Sequence, residues 1–154
     1  MATKGRYIHF MSRTRPYTES IGRLRAAGLR PTRQRLALAR LLFGKGDRHV
    51  TAEQLHAEAT GAGIRVSLAT VYNSLHQFTD AGLLREVVID PVRRYFDTNV
   101  SGHHHFFVES DGELLDIPGH QVALSGLPET PPGTVVDRVD VVVRVRKIAP
   151  SDDA

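Results

Sequence analysis

The run Ser101-Gly-His-His-His-Phe-Phe-Val108 sets three imidazoles at the head of an apolar, strand-like stretch. Side chains alternate faces along a strand, so His103 and His105 share one face and His104 takes the other. Two imidazoles about 7 Å apart on one face can converge on a small ion or lie along a larger ligand. Histidine runs also occur as solvated loops, and the run by itself leaves both readings open.

The next acid sharpens the choice. Asp111-Gly112 reads as a two-residue hairpin turn, which sets Ser110 opposite Glu113 and Phe107 opposite Asp116. Asp116 then falls on the face of His103 and His105, as a diagonal neighbour of His105. Among Leu114, Leu115 and Ile117 a carboxylate needs a partner to offset its desolvation. Two imidazoles and a carboxylate make a nitrogen/oxygen site suited to Fe2+, Mn2+ or Zn2+. Asp97, ahead of the bend at Gly102, can add an oxygen, and His49 a nitrogen from the first half of the chain. On spacing alone Asp97 reads equally well as a strand-end surface acid, and His49 as a loop histidine. A site drawing on both halves would couple its occupancy to their relative orientation. The 154 residues include no cysteine, which removes disulfides, thiolate zinc and thiol catalysis together.

The elements that must carry these groups fall into two halves of opposite charge. Residues 1–50 hold twelve Lys and Arg against Glu19 and Asp47 alone, whereas the remainder is acidic. Such segregation points to a polyanion-binding half, best matched by nucleic acid, joined to a half with another task. No apolar run approaches the length of a membrane span, and no signal peptide is evident; a cytoplasmic protein without a membrane partner is expected. Residues 1–18 read as a flexible basic tail, with a transit peptide as the weaker alternative.

A short helix over 19–27 is stopped by Gly28, and Pro31 opens a second with Leu38, Leu41 and Leu42 as core contacts. Arginines, Arg33 among them, surround its start. Thr51 and Gln54 have the capping-box form for a third helix reaching about Thr60. The fourth, over 67–81, is capped by Ser67 and carries Leu68, Val71, Leu75 and Phe78 as a core stripe. Its other side bears Thr70, Tyr72, Asn73, His76 and Gln77, hydroxyl and amide groups of the kind that meet base edges and phosphates in a major groove. Strands over 84–89 and 94–98, joined at Asp90-Pro-Val-Arg93, complete a winged helix-turn-helix, with Arg93 and Arg94 as the wing's phosphate contacts. This domain spans 19–98, followed by a linker at 99–101. Residues 102–148 read as a small α/β dimerisation and metal-sensing domain, and 149–154 as a tail. Within it, strands over 104–109 and 113–117 precede a short helical piece near 120–124. A long strand over 134–148 follows, with Val139, Val141, Val143 and Val145 on one face. The fold class is α+β.

GLRPTRQR, HVTAEQLH, SLATVYNSLHQFTDAGLL, YFDTN, the H-x-H pair and the acid of GELLD occur in the order seen in the ferric uptake regulator (Fur) family. The chain resembles that family over about residues 20–148. SLATVYN, DAGLL, YFDTN and HHHFF are most similar to its iron response regulator branch in alpha-proteobacteria. The resemblance implies a homodimeric winged-helix regulator bound to double-stranded promoter DNA. It maps the regulatory metal to His49, Asp97, His103, His105 and Asp116. It also implies that Tyr72 and Asn73 read bases, the second position being commonly arginine in the family, and that Arg30 reaches toward the minor groove. Asp97 stands where many iron sensors have glutamate; the peroxide-sensing members also use aspartate. The family's paired zinc cysteines are missing, Val108, Glu109 and Ser110 occupying the first pair's region, so no Cys-ligated structural zinc is expected. The branch's triple histidine is implicated in haem binding, which makes His103, His104 and His105 the expected haem ligands and a haem-delivering protein a further partner.

The expected function is therefore metal- and haem-responsive, sequence-specific transcriptional regulation of iron homeostasis and haem metabolism, with repressor and activator both open. A peroxide-responsive regulator, in which Fe2+ oxidises His49 or His103, is the alternative. An N/O-ligated metalloenzyme is remote, since no general base or substrate loop accompanies the histidines.

Overall fold

The computed structural model describes residues 17–150. Of the basic tail expected over 1–18, all but Tyr17 and Thr18 lies outside the described residues, as does 151–154 of the expected tail at 149–154.

Four helices build the first half: α1 (Thr18–Ala26), α2 (Arg33–Phe43), α3 (Ala52–Gly61) and α4 (Leu68–Asp80). Three start at hydroxyl caps, each taking up an amide that the first turn leaves unpaired. Thr32 accepts from the Arg35 amide, Thr51 from that of Gln54 and Ser67 from that of Thr70. At Thr51 the capping box closes in both directions, at 2.9 and 3.1 Å. The second helix thus begins after Thr32 and not at Pro31, because the proline can offer no cap. The apolar faces meet in one core of Leu24, Leu38, Leu42, Leu55, Val71, Leu75 and Phe78, sealed by Phe96. Leu68, expected within that stripe, is 37% exposed at the first residue of α4.

A three-stranded sheet closes this half in the order β1 (His49–Val50), β3 (Arg94–Asp97), β2 (Arg85–Val88). The second sheet has the order β5 (Glu113–Pro118), β4 (His103–Val108), β6 (Val142–Val145), with a single 3-10 turn at Gly119–Gln121. The two sheets share a smaller core, in which Val87, Ile89 and Tyr95 of the wing lie against Phe107 and Leu114. The Tyr95 hydroxyl donates to the Gly112 carbonyl at 2.5 Å.

Two expectations change. The β4–β5 hairpin closes over four residues, Glu109–Gly112, and Val108 faces Glu113. The Gly112 amide reaches the Val108 carbonyl at 2.9 Å, and Gly112 takes φ +63, a conformation natural to glycine. The register is therefore two residues away from that of a two-residue turn. A shift of two preserves faces, so Asp116 keeps its side but comes directly opposite His105. The long strand expected over 134–148 is only the four residues of β6. It runs parallel to β4, with Val142–Val145 opposite His105–Val108, and the ladder ends at the C-terminal end of β4. Alternating valines favour a strand but cannot extend one without a partner.

Candidate metal centre and nucleic-acid surface

Backbone pairing delivers five side chains to one point. His49 faces Asp97 across β1 and β3, and Asp116 faces His105 across β5 and β4. His103 joins from the same face of β4. One ligand atom from each of these five residues lies within 4.8 Å of all the others. Asp97 Oδ2 is central, at 2.7 Å from His103 Nε2, 3.0 Å from His105 Nε2 and 3.2 Å from His49 Nε2. Asp116 Oδ1 stands at 2.8, 3.3 and 3.5 Å from the same three nitrogens of His49, His103 and His105. His103, His105 and Asp97 are buried, while Asp116 stays 44% exposed at the mouth.

The hydrogen bonds around this cage set its chemistry. His103 Nδ1 lies 2.7 Å from the Ser101 carbonyl, which can only accept, so Nδ1 carries the proton. The Nε2 of neutral His103 then turns a lone pair toward the lone pairs of Asp97 Oδ2. Two acceptors at that distance require a cation between them, either a proton or a metal ion. Burial pushes the Asp97 carboxyl up, but hydrogen bonds from His105, His49 and the Asn99 amide, with the charge of His49, hold it far below the usual carboxylate range. Burial presses the His49 imidazolium down; hydrogen bonds and charge from Asp97, then Asp116, outweigh it and leave His49 raised. Three imidazoles and two carboxylates thus form a hard-to-intermediate donor set that fits a divalent transition metal.

The expected haem ligands have little to offer outward. His103 and His105 point into the cage. His104 Nδ1 accepts the Val141 amide at 3.1 Å, which places its ring proton on Nε2, the nitrogen an iron would need. His104 is a fastener for the segment entering β6.

Of the expected duplex-facing residues, Arg30, Arg33, Ser67 and Asn73 are exposed, and Thr70 and Tyr72 half-buried. Ser67 and Thr70 are bonded to one another at the head of α4. Arg94 is open to solvent at the wing and pairs with Glu86 at 3.1 Å. Arg93, the other expected phosphate contact at the wing, is half-buried and lines the cleft shared with Tyr72 and Arg94. Its guanidinium binds Asp90 at 2.6 Å and lies 4.6 Å over the Phe107 ring, turned to the second sheet.

Three contributors escaped the sequence reading. Arg85, 6% exposed, donates to the same Ser101 carbonyl that orients His103 and pairs closely with Asp140. Arg35 grips Gln77 across α2 and α4 at 2.8 Å. Glu53 accepts the Tyr72 hydroxyl at 2.6 Å. All three depend on contacts between distant segments, and nothing in local spacing marks them.

The sequence pattern of the Ferric uptake regulator family matches residues 26–124. "Peroxide-responsive repressor PerR" of Staphylococcus epidermidis is 36% identical over 98 residues, 64% of this chain and 65% of that protein. PerR of Staphylococcus aureus is likewise 36% identical over 98 residues, covering 66% of its length. The chain thus spans just under two thirds of the curated relatives it matches. Among solved structures, the Pseudomonas aeruginosa ferric uptake regulator with manganese aligns at TM-score 0.61 and 28% identity, over 82% of this chain and 96% of that one. The Vibrio cholerae ferric uptake regulator shares the fold at TM-score 0.65 and 22% identity, over 83% and 99% of the two chains. With most of its length matched by the family pattern, the chain belongs to the ferric uptake regulator family.

Proposed function

We propose that this protein is a metal-responsive, sequence-specific DNA-binding regulator whose metal is held by His49, Asp97, His103, His105 and Asp116. One observation carries the reading: the five donors come from both halves, two from the strands that close the helical half and three from the second sheet. A divalent ion in the cage supplies the positive charge that lets three imidazoles and two carboxylates stay together without a proton. His103 is oriented by Ser101, and Asp97 by the Asn99 amide. The chain's own residues thereby link occupancy to the angle between α4 and the second sheet. The domain boundaries proposed are 19–98 and 102–148.

The test is selection from a randomised duplex library with metal-free protein, then with Mn2+, Zn2+ or anaerobic Fe2+ added. Enrichment of a common sequence that rises with metal supports the reading. Enrichment indifferent to every metal removes metal control, and binding to all duplexes alike removes sequence recognition.

A peroxide-responsive regulator is the second reading. It is favoured by the staphylococcal relatives and by Asp97 within reach of His49 and His103. Peroxide treatment of the Fe2+-loaded protein should add one oxygen to His49 or His103, read by mass spectrometry. The iron response branch and its haem rest on SLATVYN, DAGLL, YFDTN and HHHFF; haem at His103, His104 or His105 requires the cage or the His104–Val141 bond to open.

A further inference from the structure

Tyr72 on α4 stands between two supports. Its ring stacks on His76, with centroids 6.4 Å apart and planes at 22°, and His76 in turn meets the core ring of Phe96 edge-on at 5.7 Å. At the far end its hydroxyl donates to Glu53 Oε1 at 2.6 Å. Glu53 lies exposed in the first turn of α3 and forms no ion pair among the described residues. The nearby wing cation Arg94 is engaged by Glu86. Glu53, Tyr72, His76, Val92 and Arg94 line a cleft of about 500 Å³ between the helices and the wing. The bond to Glu53 also pushes the Tyr72 phenol up, so the hydroxyl keeps its proton.

A free phenol both donates and accepts, and so discriminates poorly among base edges. With its one proton given to a carboxylate, Tyr72 presents only acceptor lone pairs. In the major groove the complementary groups are exocyclic amines, N6 of adenine and N4 of cytosine. Resting on the reading of α4 as the duplex-facing helix, we propose that Glu53 is a specificity-determining residue. It fixes the Tyr72 hydroxyl as an acceptor, which restricts one position of the bound duplex to a base carrying an amine. Its charge has a second effect. A carboxylate beside the phosphate backbone weakens binding to DNA of arbitrary sequence.

Glu53→Gln and Glu53→Ala separate these effects in the full chain. Glutamine keeps an acceptor oxygen without the charge, whereas alanine loses both. Each variant, with Tyr72→Phe and the doubles, is put through selection from a randomised duplex library and titration with a fixed unselected duplex, folding being checked by thermal melting. Glu53→Gln should keep the selected sequence and bind the unselected duplex about threefold to tenfold more tightly, with a steeper salt dependence. Glu53→Ala should cut the preference for an amine-bearing base at one position by up to about tenfold, the upper end for one neutral hydrogen bond. In the Tyr72→Phe background Glu53→Ala should change no base preference further. The inference is overturned if Glu53→Ala selects the same sequence as the parent, or if it shifts base preference equally with and without the Tyr72 hydroxyl. If the parent enriches no sequence at all, the duplex-reading function itself falls, a result distinct from either.

Discussion

His103 is oriented in the cage by a carbonyl two residues earlier. Ser101 oxygen takes the Nδ1 proton, and Arg85 holds that oxygen from the other side at 3.1 Å. Replacing His103 by Ala, singly or with His105→Ala, should lower affinity for Mn2+ or Zn2+ by about 100-fold or more, measured by calorimetric titration. An unchanged one-per-chain stoichiometry at similar affinity would place the ion elsewhere. The pH dependence follows from His49, whose folded pKa lies above its ordinary 6.5. In the metal-free protein the His49 imidazolium contributes stability that is complete below about 6.5 and is lost as pH rises through the raised value. A metal ion takes the proton's place, so the gain in Tm on adding Zn2+ should be larger at pH 8 than at pH 6. Equal gains at the two values would mean that no proton is displaced from His49. The histidines and Asp116 could be read from face alternation, and Asp97 and His49 needed the family's pattern. Arg85 could not be read at all, because a guanidinium in a strand looks solvent-facing until its partner Asp140 arrives from 55 residues away.

Elements were legible where local rules suffice. Capping hydroxyls at Thr51 and Ser67 marked helix starts to the residue, and Gly82 follows the end of α4 in a positive-φ conformation. Register and strand length were less accessible. The hairpin turn of Asp-Gly type yielded to a four-residue closure, in which Asp111 pairs with Lys147 at 2.5 Å and Glu109 with Arg144 at 2.8 Å. Those pairs bind β6 to the β4 side without any cysteine. The Phe107 ring has Arg93 at 4.6 Å and Arg144 at 5.8 Å, and Glu109 pairs with both cations. Burying the ring against two guanidinium planes uses cation–π attraction as well as apolar area. Glu109→Gln should therefore lower Tm at low ionic strength, with the difference shrinking toward zero near 1 M salt, as screening of exposed pairs requires. A loss of Tm independent of salt would show that packing, and not charge, holds the wing to the second sheet.

For the whole molecule, the helical half and the second sheet meet at the cage, to which both contribute donors. What the second sheet turns away from that meeting is apolar. Phe106 pairs with Leu115 on β5 and with Val143 on β6, so the three share one face across the full width of the sheet. They are 39%, 43% and 37% exposed. Leu124, Leu127, Val135 and Val136 add further exposed apolar side chains in the segment between β5 and β6. A row of exposed apolar side chains across a sheet face suits a subunit interface. A two-fold contact through β4 would set each Phe106 stripe against its equivalent. Phe106→Glu should then place like charges in the contact and convert a dimer to a monomer, read as a halved mass by sedimentation equilibrium. Because Phe106 points away from the cage that His105 enters, metal stoichiometry per chain should stay the same. The monomer should also lose most of its affinity for a two-half-site duplex, since each half-site then binds alone. A Phe106→Glu protein that sediments at the parent mass would rule this face out as the dimer contact.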